Sequence, residues 1–371
     1  MCFSPSTAAA VMLAFAAVTA GCSVEHPPIL TCEPAAGLIP DCRFRNPEDL
    51  VTSPGGRFIL ISQFGGMEGT AAGSLVALQP ATGSIEVLFP GDGAPAPRRN
   101  DGWGEPDCPP PPVDVFSPHG IDIEQLADGR HALYAVNHGG RESVEMFEVH
   151  DGERVSLTWR GCVRPPDEDG YFNDLVVLRD GSFWVSQMFP RHANVMWTAL
   201  RMQFTGYAPG FAYHWLPDEG FRRIPGTETQ FANGVEKSDD ERYLFLNSYF
   251  GDAVVKVDVT TGAVVGSAEV SSPDNLAWAP GGELLAASHH ASLADTMGCQ
   301  ELTHGSCAFR FQIVAIDPES MRTRVVLDHA GPPMGAATVA LPHGDWIYLG
   351  TFAGDRIARA PASILDDPGG T

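Results

Sequence analysis

The chain has 371 residues, 44% of them apolar, and a formal net charge of −23 from 46 acidic and 23 basic side chains. That length and apolar content suffice for one large buried core. The acidic balance argues against nucleic acid or an anionic membrane surface as a partner, because like charges repel. Forty glycines and 31 prolines, with no long Ala/Glu/Lys/Leu run at helical period, predict an all-β chain of short strands joined by tight turns.

Residues 1–22 read as an export signal. Thr7 to Ala20 is an uncharged stretch of small and apolar residues, too short to span a bilayer as a helix and suited to the apolar region of a secretory signal. Thr19-Ala20-Gly21-Cys22 resembles a bacterial lipobox, in which Cys22 would be acylated and become the mature N-terminus, although no Lys or Arg precedes Thr7. Cleavage after Ala20, leaving an unanchored protein, is the alternative. The expected location is outside the cytoplasm, as a periplasmic or membrane-anchored lipoprotein or else as a secreted protein, with any membrane contact made through the lipid. Beyond Cys22 stand Cys32, Cys42, Cys108, Cys162, Cys299 and Cys307, an even number that implies disulfides in an oxidising compartment. Proximity in sequence favours Cys32–Cys42 and Cys299–Cys307, leaving Cys108–Cys162, out of the fifteen pairings that six cysteines permit. None has the CxxC spacing of a zinc site.

Residues 23–46 hold several prolines and no alternation, and are expected to form a tether and lead-in segment; the folded domain is expected over 47–371. Strand-like runs follow at Arg57 to Gln63, Ser74 to Gln79, His131 to Asn137, Ser182 to Gln187, Tyr243 to Asn247, Glu283 to Ser288 and Trp346 to Thr351. Polar or small dipeptides recur at intervals of roughly one propeller blade: Glu48-Asp49, His119-Gly120, Asn173-Asp174, Asn233-Gly234, Asp274-Asn275 and Ala337-Thr338. Six such markers predict a six-bladed β-propeller of four-stranded blades. Gly91 to Val113 and Ala291 to Cys307 interrupt the pattern as insertions, either lids over the channel or surface loops. Trp184, Trp197, Trp215, Trp278 and Trp346 are expected to pack within blades.

In a propeller the innermost strands begin beside the central channel, so these markers would converge on the axis. They supply carboxylate and amide oxygens and no thiolate, a donor set that suits calcium better than zinc. A calcium site in the central channel is therefore expected. One Asx residue before a strand ordinarily closes a turn; five markers in equivalent positions point to a shared ligand. No Gly-x-Ser-x-Gly elbow, Walker loop or dinucleotide glycine pattern is found.

Phe116-Ser117-Pro118-His119-Gly120-Ile121, followed by Ala135-Val136-Asn137-His138 and Val144-Glu145-Met146-Phe147, resembles the paraoxonase family of arylesterases and lactonases. Phe172-Asn173-Asp174-Leu175, Phe231-Ala232-Asn233-Gly234-Val235 and Pro273-Asp274-Asn275-Leu276 extend the resemblance over most of residues 47 to 360. Gly234-Val235-Glu236 and Gly354-Asp355-Arg356-Ile357 are similar to the wider gluconolactonase-like (regucalcin) propellers. The resemblance implies two calcium ions: a catalytic one held by Glu48, Asn173, Asn233, Asp274 and Asn275, and a structural one held by Asp49, Asp174 and the backbone carbonyl of Ile121. It also implies a catalytic histidine dyad at His119 and His138. The chain departs from the family in lacking a cysteine near its C-terminus to bridge the terminal strands, in the segment before Glu48 and in its two insertions.

His119 begins an inner strand and His138 ends the next one, so both can face one mouth of the channel. A neutral imidazole can take a proton from water and a second can relay it. The expected function is hydrolysis of a small lactone or aryl ester, with calcium polarising the scissile carbonyl. His289 and His290 are expected to line the substrate pocket. Two alternatives stand: a sugar-lactone hydrolase resembling gluconolactonase that uses the metal alone, and a non-catalytic, lipid-anchored binding propeller.

Overall fold

The computed structural model describes residues 27–366 apart from 68, 70, 92–102 and 301. The expected signal segment 1–22 and Cys22 lie outside the described residues. Six antiparallel sheets are arranged as the blades of a propeller. Their innermost strands are Pro47–Thr52, Pro118–Gln125, Phe172–Val177, Ala232–Lys237, Pro273–Trp278 and Ala337–His343 in blades 1 to 6. Blades 1 and 3 to 5 each run through four consecutive strands from axis to rim.

Alternation of apolar side chains on the two faces of each sheet lets every blade pack against both neighbours. Six buried apolar clusters result, one in each gap between blades. Phe58, Leu60 and Phe147 fill the gap between blades 1 and 2, and Val176, Trp184 and Leu246 the gap between blades 3 and 4. Each fully buried side chain of this size contributes about 1.5–3 kcal/mol.

The ring is closed by the N-terminal chain. Ile39–Asp41, inside the expected lead-in segment, pairs antiparallel with Ile357–Pro361 and becomes the outermost strand of blade 6. Pairing of first and last strands thus ties the termini together without the cysteine bridge that the chain lacks, and covers the edge of Ile357–Pro361 with a strand of only three residues. Cys32–Cys42 staples the segment leading into this strand.

The other expected disulfides, Cys108–Cys162 and Cys299–Cys307, are also formed. Cys108–Cys162 pins the described end of the first insertion to the rim of blade 2, where Trp103–Gly104 adds a fifth, parallel strand. Cys299–Cys307 closes the second insertion, which carries a short helix at Leu293–Cys299 capped reciprocally by Ser292 and Asp295. A longer helix, Val195–Thr205, follows the second strand of blade 3; Asn194 caps its N-terminus and Gly206, at φ +68°, ends it. Trp184 and Trp215 pack within blades as expected, but Trp197 lies on this helix and is 63% exposed. Its side chain therefore cannot serve as blade packing.

Candidate active site

Every innermost strand breaks its ladder at its start. Pairing shifts register between Pro47 and Asp49, Pro118 and Ile121, Phe172 and Leu175, Ala232 and Val235, Pro273 and Leu276, and Ala337 and Ala340. A bulge of this kind leaves extra residues outside the ladder and re-aims their side chains. The residues at the break are Glu48, His119-Gly120, Asn173-Asp174, Asn233-Gly234, Asp274-Asn275 and Thr338-Val339. The sixth marker is therefore Thr338-Val339, one residue beyond the expected Ala337-Thr338, because the bulge rather than the strand's first residue defines the position. Thr338 closes the ring at the axis, donating its hydroxyl to the backbone carbonyl of Glu48 at 2.5 Å.

Glycine is required at two of these breaks. A Cβ on Gly120 would stand 2.3 Å from Asp174 Oδ1, and one on Gly234 would stand 2.4 Å from the carbonyl oxygen of Asp274. The inner strands approach closely there, and the vacated space is used by aspartates. Asp49 accepts the N–H of Ile121 in blade 2 at 2.8 Å, and Asp174 accepts the N–H of Val235 in blade 4 at 2.9 Å. Asp49, Asp174 and Ile121 line one cavity of about 310 Å³ on the axis. The three residues are thus brought together at one place on the axis.

The five residues expected around the catalytic ion are all buried. Asn275 donates to Glu48 Oε1 at 2.8 Å. Four oxygens of the set, Glu48 Oε2, Asn173 Oδ1, Asn233 Oδ1 and Asn275 Oδ1, are buried without a hydrogen-bond partner. Each such acceptor costs about 1–3 kcal/mol if left unsatisfied. Burial, with Asp49 and Asp274 nearby, pushes Glu48 well above the ordinary carboxylate range; burial alone dominates in raising Asp49 and Asp274 to about 7. Concentrated acidity and orphaned amide oxygens fit a hard divalent cation with oxygen ligands. No cluster of three or more His, Cys, Asp and Glu suited to a metal occurs among the described residues. The candidate set instead mixes two carboxylates with three amides.

His119 and His138 meet beside this set. His119 Nδ1 lies 2.9 Å from His138 Nε2, and His119 Nε2 lies 3.8 Å from Glu48 Oε1. Phe64 stacks on His119 with ring centroids 4.4 Å apart. Burial, reinforced by His138, holds the His119 imidazole well below its ordinary pKa and so neutral. His289 stands on another side of the candidate metal site: its Nε2 is 2.9 Å from the Ala337 carbonyl oxygen and 3.6 Å from Asp274 Oδ2, and its Nδ1 is 3.0 Å from the Tyr249 hydroxyl. Burial pushes it down to about 4. His290, next on the strand, bonds Gln312 instead at 3.0 Å and is not brought to the metal set.

Sequence reasoning missed Glu142, which bonds His138 Nδ1 through Oε2 at 2.8 Å, and Arg191, which holds that carboxylate. The available signal was a carboxylate four residues beyond the second histidine. Tyr249 and Phe64 were missed as well: each stands just beyond the end of a strand, Tyr243–Ser248 and Ile59–Gln63, where an aromatic residue ordinarily reads as core.

Fold and candidate site together define the class as a six-bladed propeller whose inner strands gather buried carboxylates and amides beside a histidine pair. The arylesterase family model matches residues 109–356, and the chain belongs to that family. None of the curated protein sequences matches it. Among solved structures it is similar to a luciferin-regenerating enzyme, at 13% identity and TM-score 0.52, over 87% of this chain and 95% of that one. It is also similar to a gluconolactonase from Xanthomonas campestris, at 16% identity and TM-score 0.50, over 92% of this chain and 95% of that one. At such identities the two structures establish the shared fold. Membership of the arylesterase family bears out the resemblance read from the sequence and supports an ester or lactone hydrolase acting on a small molecule.

Proposed function

We propose that the protein is a calcium-dependent hydrolase of lactones or aryl esters that works at the mouth of its central channel. The observation that carries this reading is the convergence of four partnerless buried oxygens, from Glu48, Asn173, Asn233 and Asn275, beside the neutral His119. Glu48, Asn173, Asn233, Asp274 and Asn275 would hold the catalytic ion, and Asp49, Asp174 and the Ile121 carbonyl the structural one. Bound there, calcium would polarise the scissile carbonyl and stabilise negative charge on its oxygen.

The protein's own groups supply the proton chemistry. His119 Nε2 faces the site and takes a proton from water as the water oxygen bonds to the carbonyl carbon. The acyl–oxygen bond then breaks, and the leaving oxygen receives the proton held by the histidines. Phe64 stacks on His119 and Tyr171 stands edge-on to His138 at 5.6 Å, with Phe189 packed in turn on Tyr171. Such an apolar surround favours an aryl ester or alkyl-substituted lactone over a polyhydroxylated sugar lactone.

Hydrolysis of phenyl acetate and a lactone panel by the purified protein tests the reading. Turnover lost on chelation and restored by calcium supports it. Absence of turnover despite bound calcium would sink it and favour a binding propeller; activity on sugar lactones alone would favour the gluconolactonase-like alternative. Export with acylation at Cys22 belongs to the same reading, supported by three disulfides, and is tested by mass spectrometry of the mature N-terminus.

A further inference from the structure

We propose that Glu142 is a positioning residue that fixes which nitrogen of His138 and of His119 carries hydrogen, leaving His119 Nε2 bare toward the channel. The inference rests on the reading of His119 as the base. It starts from the donors around Glu142: a backbone N–H and a guanidinium N–H can only donate, so both carboxylate oxygens act as acceptors. Glu142 Oε1 accepts the backbone N–H of Phe172 at 2.7 Å, and its Oε2 takes a bond from Arg191 and lies 2.8 Å from His138 Nδ1. His138 Nδ1 must therefore be the protonated nitrogen. In the neutral ring its Nε2 is then an acceptor, so His119 Nδ1, 2.9 Å away, must donate to it. That leaves His119 Nε2 with a free lone pair, on the side of Glu48.

The chain of bonds does more than orient. When His119 Nε2 takes a proton from water, the Nδ1 hydrogen of His119 can pass to His138 Nε2, placing positive charge on the ring that Glu142 holds. The proton returns along the same path to the leaving oxygen, so no group ends the cycle changed. Glu142 is built to stay in place. Its turn contains Gly139, whose Cβ would stand 1.5 Å from the Val115 carbonyl oxygen, and Asn137 binds the carbonyls of Gly139 and Arg141 at 3.1 Å each. The carboxylate is buried to 6% side-chain exposure between two blades.

Glu142→Gln tests the inference. The single amide oxygen stays on the backbone N–H of Phe172, Arg191, part-exposed at 19%, swings aside from the NH₂ group, and that NH₂ group turns to His138. Both histidine tautomers then invert, and His119 presents an N–H to the channel. The expected result is a fall in kcat of roughly 10²- to 10⁴-fold with KM changed less than about 3-fold and partial recovery in Glu142→Asp, measured well below a Tm that loss of the Arg191 pair lowers. Imidazole ¹⁵N shifts read the tautomers directly: the wild-type protein should show His138 protonated at Nδ1 and the variant at Nε2. Wild-type His138 protonated at Nε2 would overturn the inference whether or not the variant folds. So would full kcat in Glu142→Gln alongside lost activity in His119→Ala. Full activity in His119→Ala would instead remove the base on which the inference rests.

Discussion

Asn275, in blade 5, donates its side-chain N–H to Glu48, in blade 1, at 2.8 Å across the channel, joining residues 227 positions apart. The same two side chains each leave one oxygen buried and unpartnered. Removing either should cost metal affinity rather than folding. Glu48→Gln and Asn275→Ala are expected to weaken calcium binding at least 10-fold in competition titration with a chelating dye, while circular dichroism stays that of the wild type. Unchanged affinity in both would remove these residues from the ligand set.

The buried carboxylates also set how the metal-free protein responds to pH. Asp49 and Asp274 are raised from 3.8 to about 7 by burial, and Glu48 and Asp174 are raised too. Between about pH 4 and pH 7 the folded protein then holds protons that the unfolded chain releases, so stability is greatest at the acid end and is lost as pH rises through about 7. Thermal melts after chelation should show Tm falling from pH 5 to pH 8. With calcium bound, the carboxylates are ionised at little cost, and the gap between loaded and metal-free Tm should widen over that range. A gap independent of pH would contradict a cation at this cluster.

The parts of the site that repeat were legible in the sequence. Polar residues just before Leu50, Ile121, Leu175, Val235 and Leu276 mark five inner strands because each must leave the ladder at the axis while the next residue enters the core. In the sixth blade the break carries Thr338-Val339, and a valine gives no polar signal, so the marker shifted by one. Helix Val195–Thr205 escaped notice because its outward side carries Trp197 and Phe204, blurring the contrast of faces that announces an amphipathic helix. Glu142 and Arg191 belong to turns of different blades, 49 positions apart, and only the propeller geometry brings them together.

Gly120 and Gly234 offer a test of the close approach between inner strands. An added Cβ would meet Asp174 Oδ1 at 2.3 Å in one case and the Asp274 carbonyl at 2.4 Å in the other. Both neighbours belong to residues placed around the candidate ions. Gly120→Ala and Gly234→Ala should destabilise the protein by about 1–3 kcal/mol and weaken calcium binding. Alanine elsewhere fares differently: Gly281 has open space around its Cβ position and no positive φ, so Gly281→Ala should leave Tm and affinity close to wild type. Equal effects at all three positions would show that packing at the axis is looser than the bulges imply.

Cys108–Cys162 fixes the end of the first insertion to the rim of blade 2, beside the turn that carries Glu142. The residues after Cys108 lie over that turn: Arg141, next to Glu142, reaches the Pro109 carbonyl at 2.6 Å and the Pro110 carbonyl at 3.3 Å, and also pairs with the buried Glu145 at 2.7 Å. The bridge spans 54 residues, so opening it frees a long loop in the unfolded chain and should lower stability by about 2–5 kcal/mol. Paired replacement of both cysteines by serine should therefore lower Tm. Because Arg141 would lose its fixed carbonyl partners, the turn carrying Glu142 should also loosen, and kcat should fall more than it does on replacing Cys32 and Cys42, whose bridge stands away from the channel at the closure strand. Equal kcat in the two double variants, measured well below either Tm, would mean that the bridge serves stability alone.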